Sequence, residues 1–108
     1  MAFDDQLVDR IRVILKNENL IEKKMFGGIG YLINGNMACG VHGNNLIVRV
    51  GKDQYTNLLN RPSAKPFDLT GKAMSGWLEI IPSGTRDEKE LAEWIQLGVE
   101  FARTLPSK

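Results

Sequence analysis

Cysteine is almost missing from this chain. Its 108 residues include one, Cys39, and a single histidine, His42. One thiol excludes an intramolecular disulfide framework, and one Cys with one His cannot fill a structural zinc site. Surplus charge is missing too: 14 Lys and Arg against 13 Asp and Glu leave a formal net charge of +1. That balance argues against a dedicated nucleic-acid binder, whose affinity comes mainly from excess positive charge, so binding to nucleic acid is expected to be weak or indirect. No apolar run approaches the ~18 residues of a membrane span. The opening MAFDDQLVDR carries acids where a secretory signal has a basic stretch and then an apolar one. The expectation is a cytoplasmic protein with no membrane association. What is present, 43% hydrophobic and 25% charged residues, is ordinary globular composition. The length suits a single domain, residues 1–108.

Apolar spacing predicts a helix over 4–16, with Phe3, Leu7, Val8, Ile11, Ile14 and Leu15 on one stripe. Asp4 and Asp5 sit where the positive end of the helix dipole favours acids. From Lys23 to Val50 the period becomes two, and Asn34-Gly35-Asn36 and Gly43-Asn44-Asn45 punctuate a three-stranded antiparallel meander. Residues 53–60 predict a short helix and 61–75 a loop, broken by Pro62 and Pro66. Trp77–Ile81 reads as a further strand. Asp87 and Glu90 form an Asp-x-x-Glu start signal for a last helix whose stripe runs from Leu91 to Leu105.

The first hairpin poses a register problem. A two-residue Asn34-Gly35 turn is the generic preference for this dipeptide. A three-residue loop instead pairs Ile33 with Met37, Tyr31 with Cys39 and Ile29 with Val41, and sets Gly30 against Gly40. All these apolar side chains then share one face. A one-residue slip would send one strand's set to the other face, so burial favours the three-residue loop. Either two-residue choice in the second hairpin keeps Leu46, Val48 and Val50 on that same face. The opposite face, with Leu32, Ala38, His42, Ile47 and Arg49, reads as mixed and mostly wet.

Catalytic chemistry finds no foothold. As a lone general base His42 would need a nucleophile and an orienting partner, and it reads as a surface turn residue. Cys39 lies inside an apolar alternation and reads as a small core residue rather than a reactive thiolate. Phe26-Gly27-Gly28-Ile29-Gly30 resembles a phosphate loop but runs into a strand, so its glycines mark a bulge or a close backbone approach. No catalytic residue, cofactor site or metal site is predicted. Trp77 and Trp94 read as core or interface anchors. The long 61–76 segment carries Phe67 and Met74, with Lys65 and Lys72 beside them. Together with Lys24 and Arg49 they make up the candidate binding surface.

Several motifs acquire meaning together. They are Lys24-Met25-Phe26-Gly27-Gly28-Ile29-Gly30-Tyr31, Asn34-Gly35-Asn36-Met37, Gly40-Val41, Leu46-Ile47-Val48-Arg49-Val50 and Pro66-Phe67-Asp68. Gly71, Met74, Gly76 and Trp77 follow, then Trp94 and Ala102-Arg103-Thr104-Leu105-Pro106. In order and spacing the chain resembles the TfoX N-terminal domain family, over nearly its whole length. The resemblance implies a two-layer α+β fold like that of secretion chaperones. It would have an antiparallel meander sheet of four to five strands and N- and C-terminal helices packed on one face. It also implies a non-enzymatic regulatory or adaptor role, related to competence or transcription, exercised through a protein partner and without a cofactor. The open edges of a small sheet allow a homodimer. The alternative is a small-molecule or weak nucleic-acid binding module using Lys24, Arg49 and the 61–76 segment.

Overall fold

The computed structural model describes residues 4–25, 27–68 and 73–107. Phe3 of the first apolar stripe, Phe26 and Gly71 of the family motifs, and Lys72 of the candidate surface lie outside the described residues.

Acidic caps start both long helices. The side chain of Asp4 accepts from the backbone N–H groups of Gln6 (2.9 Å) and Leu7 (3.2 Å), and α1 (Asp5–Ile14) follows. Asp87 accepts from the N–H of Glu90 at 3.0 Å and opens α3 (Glu88–Arg103). Each cap satisfies donors that a helix start leaves without an internal partner. Of the stripes that the spacing predicts, Leu7, Val8 and Ile11 on α1 and Leu91, Trp94, Ile95, Gly98 and Ala102 on α3 are buried; Ile14, Phe101 and Leu105 are half-buried, and Val99 joins the buried set. A short helix, α2 (Lys52–Leu58), joins the two halves of the sheet and buries no side chain completely.

The strands are β1 (Leu20–Met25), β2 (Gly28–Ile33), β3 (Asn36–His42), β4 (Asn45–Arg49), β5 (Ala64–Asp68) and β6 (Ala73–Ile80). They form one antiparallel sheet in the order β1-β2-β3-β4-β6-β5. The architecture is the expected two-layer α+β, but with six strands rather than four to five. The extra strands are the edges. β1 reads LIEKKM, a charged sequence with little apolar alternation. β5 lies within the stretch expected to be a loop. Its Pro66 pairs with Leu78 and is tolerated because an edge strand leaves one side of its backbone without a neighbour.

The first hairpin corrects the expected register. Ile33 faces Asn36 across a two-residue turn, not Met37 across three. Asn34 and Gly35 have φ of 54° and 83°, the left-handed pair that a type I′ turn needs. Farther along, Ile29 faces Val41, Gly30 faces Gly40 and Tyr31 faces Cys39, the pairings that burial favours. A bulge reconciles the two requirements. Between the Tyr31–Cys39 and Leu32–Met37 pairs, Ala38 has no partner. One extra residue restores the inward face of β3 without lengthening the turn. Met37 consequently moves to the outer face beside Leu32. Asn36 takes the inward place, where its buried amide donates to the Pro106 carbonyl at 2.9 Å.

Both long helices lie on the inner face, where Ile29, Tyr31, Val41, Leu46, Val48 and Leu78 join their stripes in one core. α3 comes very close to the sheet. A Cβ added at Gly98 would lie 2.2 Å from the carbonyl oxygen of Ala38 and 3.3 Å from a methyl of Val48. Among the described residues no helix is long and apolar enough to cross a membrane.

Because α3 cannot yield at Gly98 without lifting off the bulge, Gly98→Ala is expected to cost about 1–3 kcal/mol despite alanine's better helix propensity. Urea unfolding of both proteins measures it, and unchanged or increased stability would contradict the close approach.

Candidate functional site

With both long helices on one face, the outward side chains form the other. Strand alternation places Ile21, Leu32, Met37, Ile47, Arg49, Trp77 and Glu79 there. At one end of the strands they form a row. Ile21 faces Leu32, Leu32 faces Met37, and Arg49 faces Trp77 on the next two strands. Ile21 is 65% exposed; Leu32, Met37, Arg49 and Trp77 are half-buried.

A second small apolar cluster sits on this face. Phe67 occupies a register shift between the Pro66–Leu78 and Asp68–Ala73 pairs. Its ring centroid lies 6.0 Å from that of His42 on β3 and 6.5 Å from that of Trp77 on β6. A ring so placed covers the intervening β4, whose outward Ile47 is only 2% exposed. Ile47 therefore leaves the wet face that the sequence suggests. His42 is a half-buried strand residue against Phe67, not a free turn residue. Ala38 is fully buried, and at the bulge its carbonyl oxygen faces Gly98 of α3.

The charges on this face differ in their partners. Glu79 accepts from the Asn45 amide at 2.6 Å and lies 4.0 Å from the Lys65 ammonium. The Arg49 guanidinium lies 5.1 Å from the Trp77 ring centroid and 5.5 Å from that of Phe101. Among the described residues no carboxylate pairs with it. Two aromatic rings thus hold a cation whose N–H donors meet no hydrogen-bond acceptor among the described residues.

Of the candidate surface, the fold brings Arg49, Lys65 and Phe67 onto one face. Lys24 is exposed on β1, at the opposite edge of the sheet from Lys65 on β5. Five strand spacings of about 4.8 Å separate those edges by about 24 Å along the sheet. Met74 is half-buried on β6, just before Gly76, whose φ of 90° interrupts regular strand geometry. Trp77 was the residue to add: Leu78 and Ile80 point inward, so the parity of WLEII already sends Trp77 and Glu79 outward.

Two open clefts lie elsewhere, both beside Arg61. One of about 590 Å³ is lined by Arg61, Ser63, Ser83, Asp87 and Glu90 among others, and one of about 530 Å³ by Leu58, Arg61, Glu93 and Leu97 among others. Arg61 is already engaged: its guanidinium sits 4.2 Å from the Trp94 ring centroid and 3.9 Å from a Glu90 oxygen. Sequence reasoning gave Arg61 no role, since nothing in the chain order signals its stacking on Trp94.

A model of the TfoX N-terminal domain matches residues 15–102. The chain belongs to the TfoX N-terminal domain family. The matched stretch of this TfoX-type domain holds the whole sheet and nearly all of α3, with Arg49, Phe67 and Trp77 inside it. Comparison with curated proteins finds no match.

Burial and neighbouring charge shift several titratable groups inside this TfoX-type domain. Cys39 is fully buried, and burial pushes its thiol up to about 12. Tyr31 is raised above the usual phenol range, first by burial and then by the charge of Glu22 opposite it. Among the described residues its buried hydroxyl makes no well-formed hydrogen bond, although the Glu22 carboxylate is near enough to contribute to its shift. Glu22 is instead gripped by Arg12, whose Nε and Nη2 donate to its two carboxylate oxygens at 2.8 and 2.7 Å, holding that carboxyl below its usual range. The glycine run forms the start of β2, and a Cβ at Gly28 would lie 1.9 Å from the Val41 carbonyl oxygen. That is a close backbone approach in a sheet.

A buried thiol gives a pH signature. Between its ordinary 9.0 and about 12, Cys39 ionises in the unfolded chain but not in the folded one. The folded state then binds more protons, so stability is complete below pH 9 and falls as pH rises. Cys39→Ala is expected to flatten this slope between about pH 9 and 10, where the raised Tyr31 adds a smaller slope common to both proteins. Urea unfolding across that range measures it, and an equal slope in both proteins would contradict the assignment.

Proposed function

We propose that this TfoX N-terminal-type domain is a non-enzymatic regulatory or adaptor module that holds a protein partner on the helix-free face of its sheet. One observation carries the reading. The row Ile21, Leu32, Met37, Arg49 and Trp77 crosses the face opposite the core, with no helix of the described residues laid across it and Phe101 of α3 reaching it at Arg49, combining apolar surface with an aromatic and an arginine. Such residues dominate the energetics of protein interfaces.

The edges support placing the partner on the face. β1 presents Lys23 and Lys24 and β5 presents Lys65 and Pro66, groups that discourage the addition of another strand. A homodimer through the edges is therefore not part of the proposal. Nor is the nucleic-acid alternative, because Lys24 lies across the sheet from Lys65, and Glu79 shares the face with Arg49. A role in competence or transcription regulation is inferred from the family, and a cytoplasmic setting from a chain with one buried thiol.

A tagged chain incubated with extract of its host is expected to retain a protein that the Trp77→Ala variant does not. Both must melt cooperatively, and the purified partner must bind the wild type directly. Equal retention by the two chains would sink the outer face as the docking surface. A separate prediction concerns its support. Phe67 is 4% exposed, so Phe67→Ala is expected to cost about 3 kcal/mol, read from urea unfolding. A loss near zero would show that Phe67 does not seal Ile47.

A further inference from the structure

The outward row has one charged member, and among the described residues no carboxylate pairs with it. Ile21, Leu32 and Met37 are neutral and apolar, Trp77 is aromatic, and Arg49 lies between the two groups. Its guanidinium is held near Trp77 and Phe101 at 5.1 and 5.5 Å, so its position is set before any partner arrives. The carboxylate of this face, Glu79, is satisfied by Asn45 and Lys65. An arginine fixed in this way, with its planar donors unpaired among the described residues, matches a carboxylate that accepts two parallel hydrogen bonds. Pre-positioning also lowers the ordering cost of binding.

Resting on the docking reading above, we propose that the row recognises a segment of a protein partner in which one Asp or Glu lies between apolar residues. The carboxylate pairs with Arg49. An apolar side chain on one side of it packs on Trp77, and one on the other side packs on Leu32 and Met37. Strand spacing sets the scale: neighbouring outward side chains in the row lie about 5 Å apart, so a short segment laid across the strands reaches all three positions. Nucleic acid is disfavoured at the same place because it would bring phosphates toward Glu79 and offers no aliphatic groups to the Leu32–Met37 end.

The test uses the full chain and a displayed library of random twelve-residue peptides. Enriched peptides are expected to carry an Asp or Glu flanked by aliphatic or aromatic residues. For the strongest of them, titration should show about tenfold or more weaker binding when the peptide's acid becomes its amide, and a similar loss with Arg49→Gln. The two changes together should cost little more than either alone, the mark of a direct pair. Arg49→Lys, which keeps the charge and loses the planar fork, should also bind more weakly. The acid-to-amide change leaves the protein untouched, so the test survives an Arg49 variant that fails to fold. Three results would overturn the proposal. Enriched peptides without an acid that are lost with Trp77→Ala would end the acidic reading and leave the docking face standing. Additive losses in the cycle would show that the acid and Arg49 do not meet. No enrichment over a blank selection, with a DNA duplex bound through Arg49 instead, would end both readings.

Discussion

Much of this fold depends on how closely α3 approaches β3. At Gly98 the helix backbone rides on the Ala38 carbonyl, with no room for even a methyl group. That carbonyl is available because Ala38 is an unpaired bulge residue. The approach lets Trp94, Ile95, Val99 and Ala102 sink into the sheet and leaves them buried. At roughly 1.5–3 kcal/mol for each large apolar side chain, this contact surface is a major source of stability in a domain of this size. It also decides which face the long helices leave open, since α1 joins the same core and, among the described residues, neither long helix packs across the far face.

The parts of the fold that were legible in the sequence are those where local chemistry and burial agree. Asp4 and Asp87 cap their helices, and the inward stripes behind them follow helical spacing. Leu46, Val48 and Val50 keep the face their alternation assigns. The first hairpin shows where such reading stops. Asn34-Gly35 prefers a tight turn, the apolar pattern of β3 demands a shift by one, and the choice between them assumed that β3 is regular. A bulge satisfies both, and Ala38 gives no sign of it, because alanine serves equally in a ladder or a bulge. The edge strands were hidden for a different reason. Lysines and a proline, which read as loop chemistry, are what an exposed edge requires.

The candidate surface was legible in part for the same reason. Arg49, Lys65 and Phe67 come together through strand order, while Lys24, equally basic, is carried to the far edge. That separation follows from β6 inserting between β4 and β5, a pairing that residue spacing alone does not encode. Trp77 follows from parity once β6 is recognised. Arg61 over Trp94 does not, since it depends on the packing of a turn against a helix far along the chain.

The place of α3 in the chain has a consequence for synthesis. β1 to β6 all precede it in sequence, and α3 is the cover for their apolar face. At about 5–20 residues per second, seconds pass between the emergence of the first hairpin and that of its lid. The Asn36–Pro106 hydrogen bond that fastens the hairpin to the chain beyond α3 forms later still. During that interval the nascent sheet shows bare apolar surface to its neighbours on the polysome. The lysines of β1 and the Lys65-Pro66 pair of β5 are then guards of an unfinished molecule, keeping half-made sheets from pairing edge to edge until the helix arrives.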